Sequence, residues 1–308
     1  MKSALMEKIS HEILHFLLPH HRTKNIGKLF PKDFPIQLNQ IEAFLKKDLP
    51  ISFILPGFPC KSPNPDKVLG ILPDMGECLS LCFLNSLLKK IEKLYPPGAH
   101  LTLCSDGHIF GDLIRVPDED IDAYADELKN IIERFELRNI ALFDLRDILG
   151  DISHESKRNF VKEKHAPSLD SLRKEILSDE HALFLYRGIT RFLFEDGSSY
   201  KLSKSALQRS CRERAYEVIQ RSRAFGDLIE RLFPASLRLS IHPQPSNSFK
   251  FGIRLLEASD IWITPWHGAA YLRVEGNWTL LPRAAAAKHG KLIYQEGRAS
   301  HFEEVLSH

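Results

Sequence analysis

The sequence contains no run of roughly eighteen apolar residues, the length that a membrane-spanning helix requires. Its opening stretch, MKSALMEKISHEILHFLLPHH, also lacks the unbroken apolar centre of a secretion signal, because Lys8, His11, Glu12 and His15 interrupt it. A cytoplasmic chain that does not engage membranes is the expectation. Cysteine is scarce: Cys60, Cys78, Cys82, Cys104 and Cys211 form an odd set with no CxxC pair, which argues against a disulfide framework or a zinc ribbon. Buried, unreactive thiols are the expected state, with Cys78 and Cys82 on one helix face. Neither GxGxxG, a GxxxxGK[ST] phosphate loop nor GxSxG occurs, so nothing supports a nicotinamide site, a nucleoside triphosphatase or a serine hydrolase. Charge of one sign is lacking too. The 42 basic and 40 acidic residues leave a net +2, no global field for nucleic acid or an anionic membrane, and any anion must be caught locally.

What remains is an ordinary globular composition, 308 residues with 43% hydrophobic and 27% charged, enough to bury a large core. Apolar positions at helical spacing run over 4–18 and stop at Pro19, and a short helix is expected over 36–47. Continuous apolar runs then mark strands at 51–55, 101–104 and 140–143, separated by amphipathic helices over 77–94 and 118–135. Strand and helix in alternation predict an α/β fold with a Rossmann-like, mostly parallel sheet. From 168 to 233 the pattern turns helical, with Ser178 and Ser203 as expected caps, and strand signals return at 237–241, 249–255 and 269–274 before an Ala-rich tail. The organisation read from this is an N-terminal helical segment (1–48), the Rossmann-like core (49–165), an inserted helical layer (166–235) and additional C-terminal strands (236–308) that complete an active site.

Ligands of open α/β sheets sit beyond the carboxyl ends of the strands. The loops after the first three strands carry Lys61, Asn64, Lys67, Asp106, His108, Asp144, Arg146 and Asp147. Wet loops explain any one of these, but less readily clusters on a common rim. In LRLSIHP the side chains alternate, so Leu237, Leu239 and Ile241 face one way and Arg238, Ser240 and His242 the other. The polar row is either a solvent-facing edge or an anion-binding arginine, a hydroxyl donor and an imidazole aimed into one pocket. TPWHGAA sets Trp266 beside His267, an aromatic wall next to an acid or base, or a packing tryptophan with a hydrogen-bonded histidine.

Two motifs point elsewhere. His11-Glu12-Ile13-Leu14-His15 matches HExxH, which on a helix pairs two zinc-binding imidazoles with a glutamate base and would make a metal-dependent hydrolase. It stands close to the chain start with no sheet before it, and a helix docked by Leu14, Leu17 and Leu18 is preferred. The basic helix 204–231 carries Lys204, Arg209, Arg212, Arg214, Arg221 and Arg223, a possible nucleic-acid face, yet Glu213, Glu217, Asp227 and Glu230 interleave and favour a solvated surface.

The stretches KSPNPDKVLGILPDMGE (61–77), SDGHIFGD (105–112), YRG (186–188), LRLSIHP (237–243) and TPWH (264–267) resemble the isocyanide synthase family, also known as the pyoverdine/dityrosine biosynthesis family. The similarity runs in order over residues 45–285 and leaves HExxH outside. It departs at His108, where arginine is common, and at Gly111, where serine is expected before Asp112. The resemblance implies a Rossmann-like core without a bound nucleotide and a reaction that joins the α-amine of tyrosine or tryptophan, with tyrosine favoured, to the ketone carbon of ribulose 5-phosphate. That carbon becomes the isonitrile carbon, in secondary metabolism of the pyoverdine or paerucumarin kind. An iron- and 2-oxoglutarate-dependent oxygenase is the implied pathway partner, and no nucleic acid is.

Imine formation, tautomerisation and fragmentation are acid–base steps, so the expected requirement is an anion cradle and proton carriers, with no cofactor and no metal. Lys61, Lys67 and Arg238 are expected to hold phosphate or carboxylate, with Arg187 a further carboxylate fork and Ser240 a hydroxyl donor. His242 and His267 are the expected proton carriers, on the premise of near-neutral pKa values. Asp106 or Glu77 would orient one of them or collect the substrate ammonium, and Trp266 would stack on the amino acid's ring.

Overall fold

A computed structural model describes residues 2–23, 27–197 and 202–305, so the outermost residues of the segments 1–48 and 236–308 lie outside it. The elements in chain order are α1 (Lys2–Leu17), α2 (Pro35–Lys47), β1 (Ile51–Pro56), α3 (Met75–Leu94), β2 (Ala99–Cys104), α4 (Gly107–Ile114), α5 (Asp118–Arg134) and β3 (Ile140–Phe143). There follow α6 (Arg146–Leu149), α7 (His154–His165), α8 (Leu169–Ser178), α9 (Glu180–Asp196), α10 (Lys204–Leu232), β4 (Leu237–Ser240) and β5 (Phe251–Gly252). A 3₁₀ turn (Pro265–His267), β6 (Ala269–Leu272), β7 (Trp278–Leu281), α11 (Arg283–Ala286), β8 (Gly290–Gln295) and β9 (Arg298–Glu304) complete the series.

The first sheet has strand order β3-β2-β1-β4-β5, and each neighbouring pair is parallel. Its strands are apolar on both faces because both are covered. Phe53 and Leu55 of β1 join the core made with α1, α2 and α3, whereas Ile54 faces a second core with Val161 of α7 and Phe225 and Leu228 of α10. β4 lies between β1 and β5, so the polar row of LRLSIHP belongs to an interior strand, and Arg238 and Ser240 are buried. The solvent-facing edge is thereby ruled out. The sheet reverses direction of growth between β1 and β4, the place where ligand crevices form in such sheets.

α8, α9 and α10 form the expected helical layer, with Ser203 capping α10 by accepting from the Ala206 N–H. Ser178 is not a cap. It ends α8, and Asp179 caps α9 through the Ala182 N–H at 2.6 Å. The tail forms a separate four-stranded sheet in the order β7-β6-β9-β8. β8 and β9 join through Glu296 and Gly297, both with positive φ, of 49° and 76°. Asn-Gly or Asp-Gly usually marks such a turn, and a glutamate there concealed the hairpin from the sequence pattern.

α1 buries Ile13, Leu14 and Leu17 in the main core and leaves His15 exposed, which fits a docking helix. Several arginines of α10 are engaged within the chain: Arg221 with Asp112 at 2.6 Å, Arg223 with Glu175, and Arg214 with the Leu113 carbonyl at 2.9 Å. No helix among the described residues is long and apolar enough to cross a membrane.

Candidate active site

A hollow of about 560 Å³ opens beyond the carboxyl ends of β1, β2 and β4, roofed by α9 and α10. β1 leads through Gly57 and Pro59 to Lys61, β2 leads through Ser105 to Asp106, and β4 delivers Arg238 and Ser240 with His242 just beyond its end. The 3₁₀ turn adds Trp266 and His267. Side chains separated by up to some two hundred residues in the chain thus meet because parallel strands point their ends at one place. Gly107 is a close approach: a Cβ there would lie 2.2 Å from the Pro59 carbonyl, so the SDGH turn can pass beneath the β1 loop only without a side chain.

Arg238 stands at one end of the hollow. Its Nε and Nη1 are buried without a hydrogen-bond partner among the described residues, and so is Oδ1 of Asp106. A buried polar atom left unpaired costs about 1–3 kcal/mol, and a ligand that pairs with it recovers that cost. Lys250 lines the same end of the hollow, with its ammonium pushed down to about 8 by burial and by the nearby guanidinium of Arg238. At the other end Asp196 accepts a hydrogen bond from Ser62 at 2.7 Å and pairs with Lys67 at 2.8 Å, while its Oδ2 is buried and unpartnered. Phe110, Ile189, Phe192 and Trp266 supply apolar wall between these groups.

Burial raises the Asp106 carboxyl to about 7. The two histidines run the other way. Burial, with the cations Arg22 and Lys250 near His242 and Lys67 near His267, pushes both imidazoles down to about 3. The premise of near-neutral histidines is therefore corrected: burial keeps both imidazoles neutral, whereas the Asp106 carboxyl and the Lys250 ammonium are the groups of the hollow shifted toward neutrality. Thr264 Oγ1 pairs with His267 Nδ1 at 2.9 Å and sets that ring's orientation.

Several expected residues are elsewhere or otherwise engaged. Lys61 touches the hollow, yet its Nζ is bound to Asp74 Oδ2 at 2.8 Å, Glu77 Oε2 at 2.7 Å and the Pro265 carbonyl at 3.1 Å. Burial opposes the charge on Lys61, and the two acids more than offset it, so its ammonium has no capacity left for a phosphate. Glu77 is fully buried beneath that pair, accepting from the Asp74 N–H and from Tyr124 Oη, and does not reach the hollow. Lys67 is held by Glu195 and Asp196 behind the wall. Arg187 is exposed on α9, outside the lining. Asp144 and Arg146 line a separate small cleft with His108, and Asp147 accepts from the Asp144 N–H. Cys60, Cys104 and Cys211 are buried as expected, but Cys78 and Cys82 are only half-buried.

A sequence profile described as "Pyoverdine/dityrosine biosynthesis protein" matches residues 41–293. The chain belongs to that family. It is 47% identical over 274 residues to the L-tyrosine isonitrile synthase of Pseudomonas aeruginosa, covering 87% of this chain and 83% of that one. Identity to the L-tyrosine isonitrile synthase of Xenorhabdus nematophila is 41%, over 96% of this chain and 92% of that one. It is 40% identical to the L-tryptophan isonitrile synthase AmbI2 of Fischerella ambigua, over 86% of this chain and 81% of that one. The crystal structure of the PvcA protein from Pseudomonas aeruginosa superposes with a TM-score of 0.91 at 43% identity, covering 96% of this chain and 99% of that one. This pyoverdine/dityrosine family member is accordingly an enzyme of the isonitrile synthase type.

Sequence reasoning missed Lys250 and Asp196. Each sits where neither periodicity nor a motif singles it out, after a loop for Lys250 and in the last turn of α9 for Asp196. Arg223 also reaches the hollow, and its place in a mixed-charge helix disguised it as a solvated side chain.

Proposed function

We propose that the enzyme converts the α-amine of an aromatic amino acid, tyrosine in the first place, to an isonitrile with ribulose 5-phosphate as carbon donor. The observation that carries this reading is the pairing within one hollow of a buried, under-bonded guanidinium, Arg238, with a buried, under-bonded carboxyl, Asp106. The anionic end of the sugar phosphate would meet Arg238 and Lys250, the two buried cations of that end, through charge-assisted bonds. Asp196 Oδ2, at the opposite end, suits the substrate ammonium, and Trp266 and Phe192 suit its ring.

Condensation of amine and ketone requires a proton to leave nitrogen and one to reach the departing oxygen. Asp106, titrating near 7, can accept the first and deliver the second. His242 and His267, neutral when the site is empty, gain basicity as phosphate and carboxylate enter, so proton transfer through them depends on substrates being bound. Ser240 is proposed to contribute its hydroxyl to the same anion. An iron- and 2-oxoglutarate-dependent oxygenase acting on the product is the proposed pathway partner.

The test is incubation of the purified enzyme with tyrosine and ribulose 5-phosphate labelled with carbon-13 at the ketone carbon. Tyrosine isonitrile carrying the label is the expected product by mass spectrometry. An unlabelled isonitrile would refute the carbon donor, and preferential turnover of tryptophan in competition would refute the choice of amino acid.

A further inference from the structure

Two residues beyond Asp106, His108 leaves the hollow and stacks on His154 of α7, with ring centroids 3.7 Å apart and planes 8° from parallel. Asp122 of α5 meets both rings with one carboxylate: Oδ1 is 3.1 Å from His108 Nε2 and Oδ2 is 3.1 Å from His154 Nε2. A carboxylate accepts only, so His154, whose Nε2 faces Asp122, carries its proton there and a lone pair on Nδ1. That Nδ1 is buried with no partner among the described residues, and His108 turns its own Nδ1 to Asp118 Oδ1, 3.1 Å away.

We propose that His108, His154 and Asp118 bind a divalent transition-metal ion, zinc by preference. One donor atom from each lies within 4.8 Å of the other two, so a single ion can gather them. Two imidazoles and a carboxylate form a nitrogen–oxygen donor set suited to zinc, with water as the fourth ligand. Asp122 supplies the carboxylate that typically receives the distal N–H of a metal-bound histidine, here for both rings at once. Arg158 holds Asp118 in a two-pronged grip at 2.8 and 3.1 Å and so fixes the third ligand. To direct both lone pairs at one ion some ~2.0–2.1 Å away, the stacked rings must fan apart. The ion would clip α7 to α4 and α5, and its role is structural, since the reacting hollow lies on the other side of Asp106.

The experiment is zinc titration of the full-length protein after dialysis against a chelator, repeated with His154→Ala and with His11→Ala. One zinc per chain, a higher Tm with zinc, at least about 100-fold weaker binding in His154→Ala and unchanged binding in His11→Ala are expected. Cobalt substitution should give the visible bands of a tetrahedral site without a thiolate charge-transfer band. Absence of stoichiometric zinc binding, parental affinity in His154→Ala, loss of binding in His11→Ala, or a thiolate band overturns the proposal. If His154→Ala does not fold, the titration and cobalt spectrum of the unaltered protein still decide it.

Discussion

Lys61 Nζ stands 2.7 Å from Glu77 Oε2, and neither side chain is reached by solvent. Asp74 holds the same ammonium at 2.8 Å and caps α3 by accepting from the Gly76 N–H at 2.9 Å. The pair therefore ties the loop after β1, the first turn of α3 and the turn carrying Trp266 into one polar knot at the floor of the hollow.

Replacing Lys61 with Met should destabilise the protein by about 3–5 kcal/mol, because it strands two carboxylates in the core. Urea unfolding at neutral pH measures this. The deficit should shrink on mild acidification, when the Glu77 carboxyl, which burial already raises to about 7, takes up a proton. Loss of activity in Lys61→Met with stability untouched would return Lys61 to direct substrate binding.

In the YRG stretch the residue that matters is the glycine. A Cβ on Gly188 would lie 2.3 Å from the ring of Trp262, which in turn stands 6.1 Å from His242. Gly188→Ala should cost about 1–3 kcal/mol by overpacking and should lower activity by displacing that ring. Arg187→Ala, on the exposed side of the same helix, should stay within about 0.5 kcal/mol and keep parental turnover. Thermal melts and initial rates of the two variants separate these outcomes.

Buried histidines give stability a defined pH dependence. His242 and His267 fall from the ordinary 6.5 to about 3 and His21 to about 4, all chiefly by burial, so across that window the unfolded chain binds more protons than the native one. Stability must then rise with pH from about 3 to 6.5. Asp106, raised from 3.8 to about 7, works against this, since between those values the native state holds the extra proton. Tm measured from pH 5 to pH 7 should increase, the increase should steepen in Asp106→Asn, and it should flatten in His242→Asn. A profile indifferent to both substitutions would refute the burial assigned to these groups.

The backbone scheme was legible because buried parallel strands are written as continuous apolar runs, as in ISFIL of β1. The alternation in β4 likewise announced that Arg238, Ser240 and His242 share a face, and the structure aims that face into the hollow. What the sequence could not show is which charge is already satisfied. Lys61 and Arg238 look alike as cations beside strand ends, yet one meets two acids at the start of a helix that follows, and the other forms no ion pair among the described residues. The tail was opaque for a local reason: β8 buries none of its residues fully, the buried centre of β9 is Ser300 and His301 beside Phe302, and the two turn on Glu296, so neither apolar pattern nor turn chemistry marked them.

Arg238 allows a test in which stability and activity move apart. An unliganded guanidinium with buried, unpaired Nε and Nη1 is a burden on the empty fold, and burial holds its pKa below the ordinary arginine value. Arg238→Met removes that burden while keeping an unbranched side chain between β1 and β5, so Tm should be unchanged or raised. Under the proposed function the same change would remove a buried charge-assisted contact to the sugar phosphate, a loss of about 2–5 kcal/mol that should be read chiefly as a higher KM for ribulose 5-phosphate. Arg238→Lys should recover part of the affinity by restoring charge without the planar fork. A packing residue would show the opposite pattern, with Tm falling and KM unmoved; melts alongside KM values for each substrate therefore distinguish a side chain kept for its ligand from one kept for the fold.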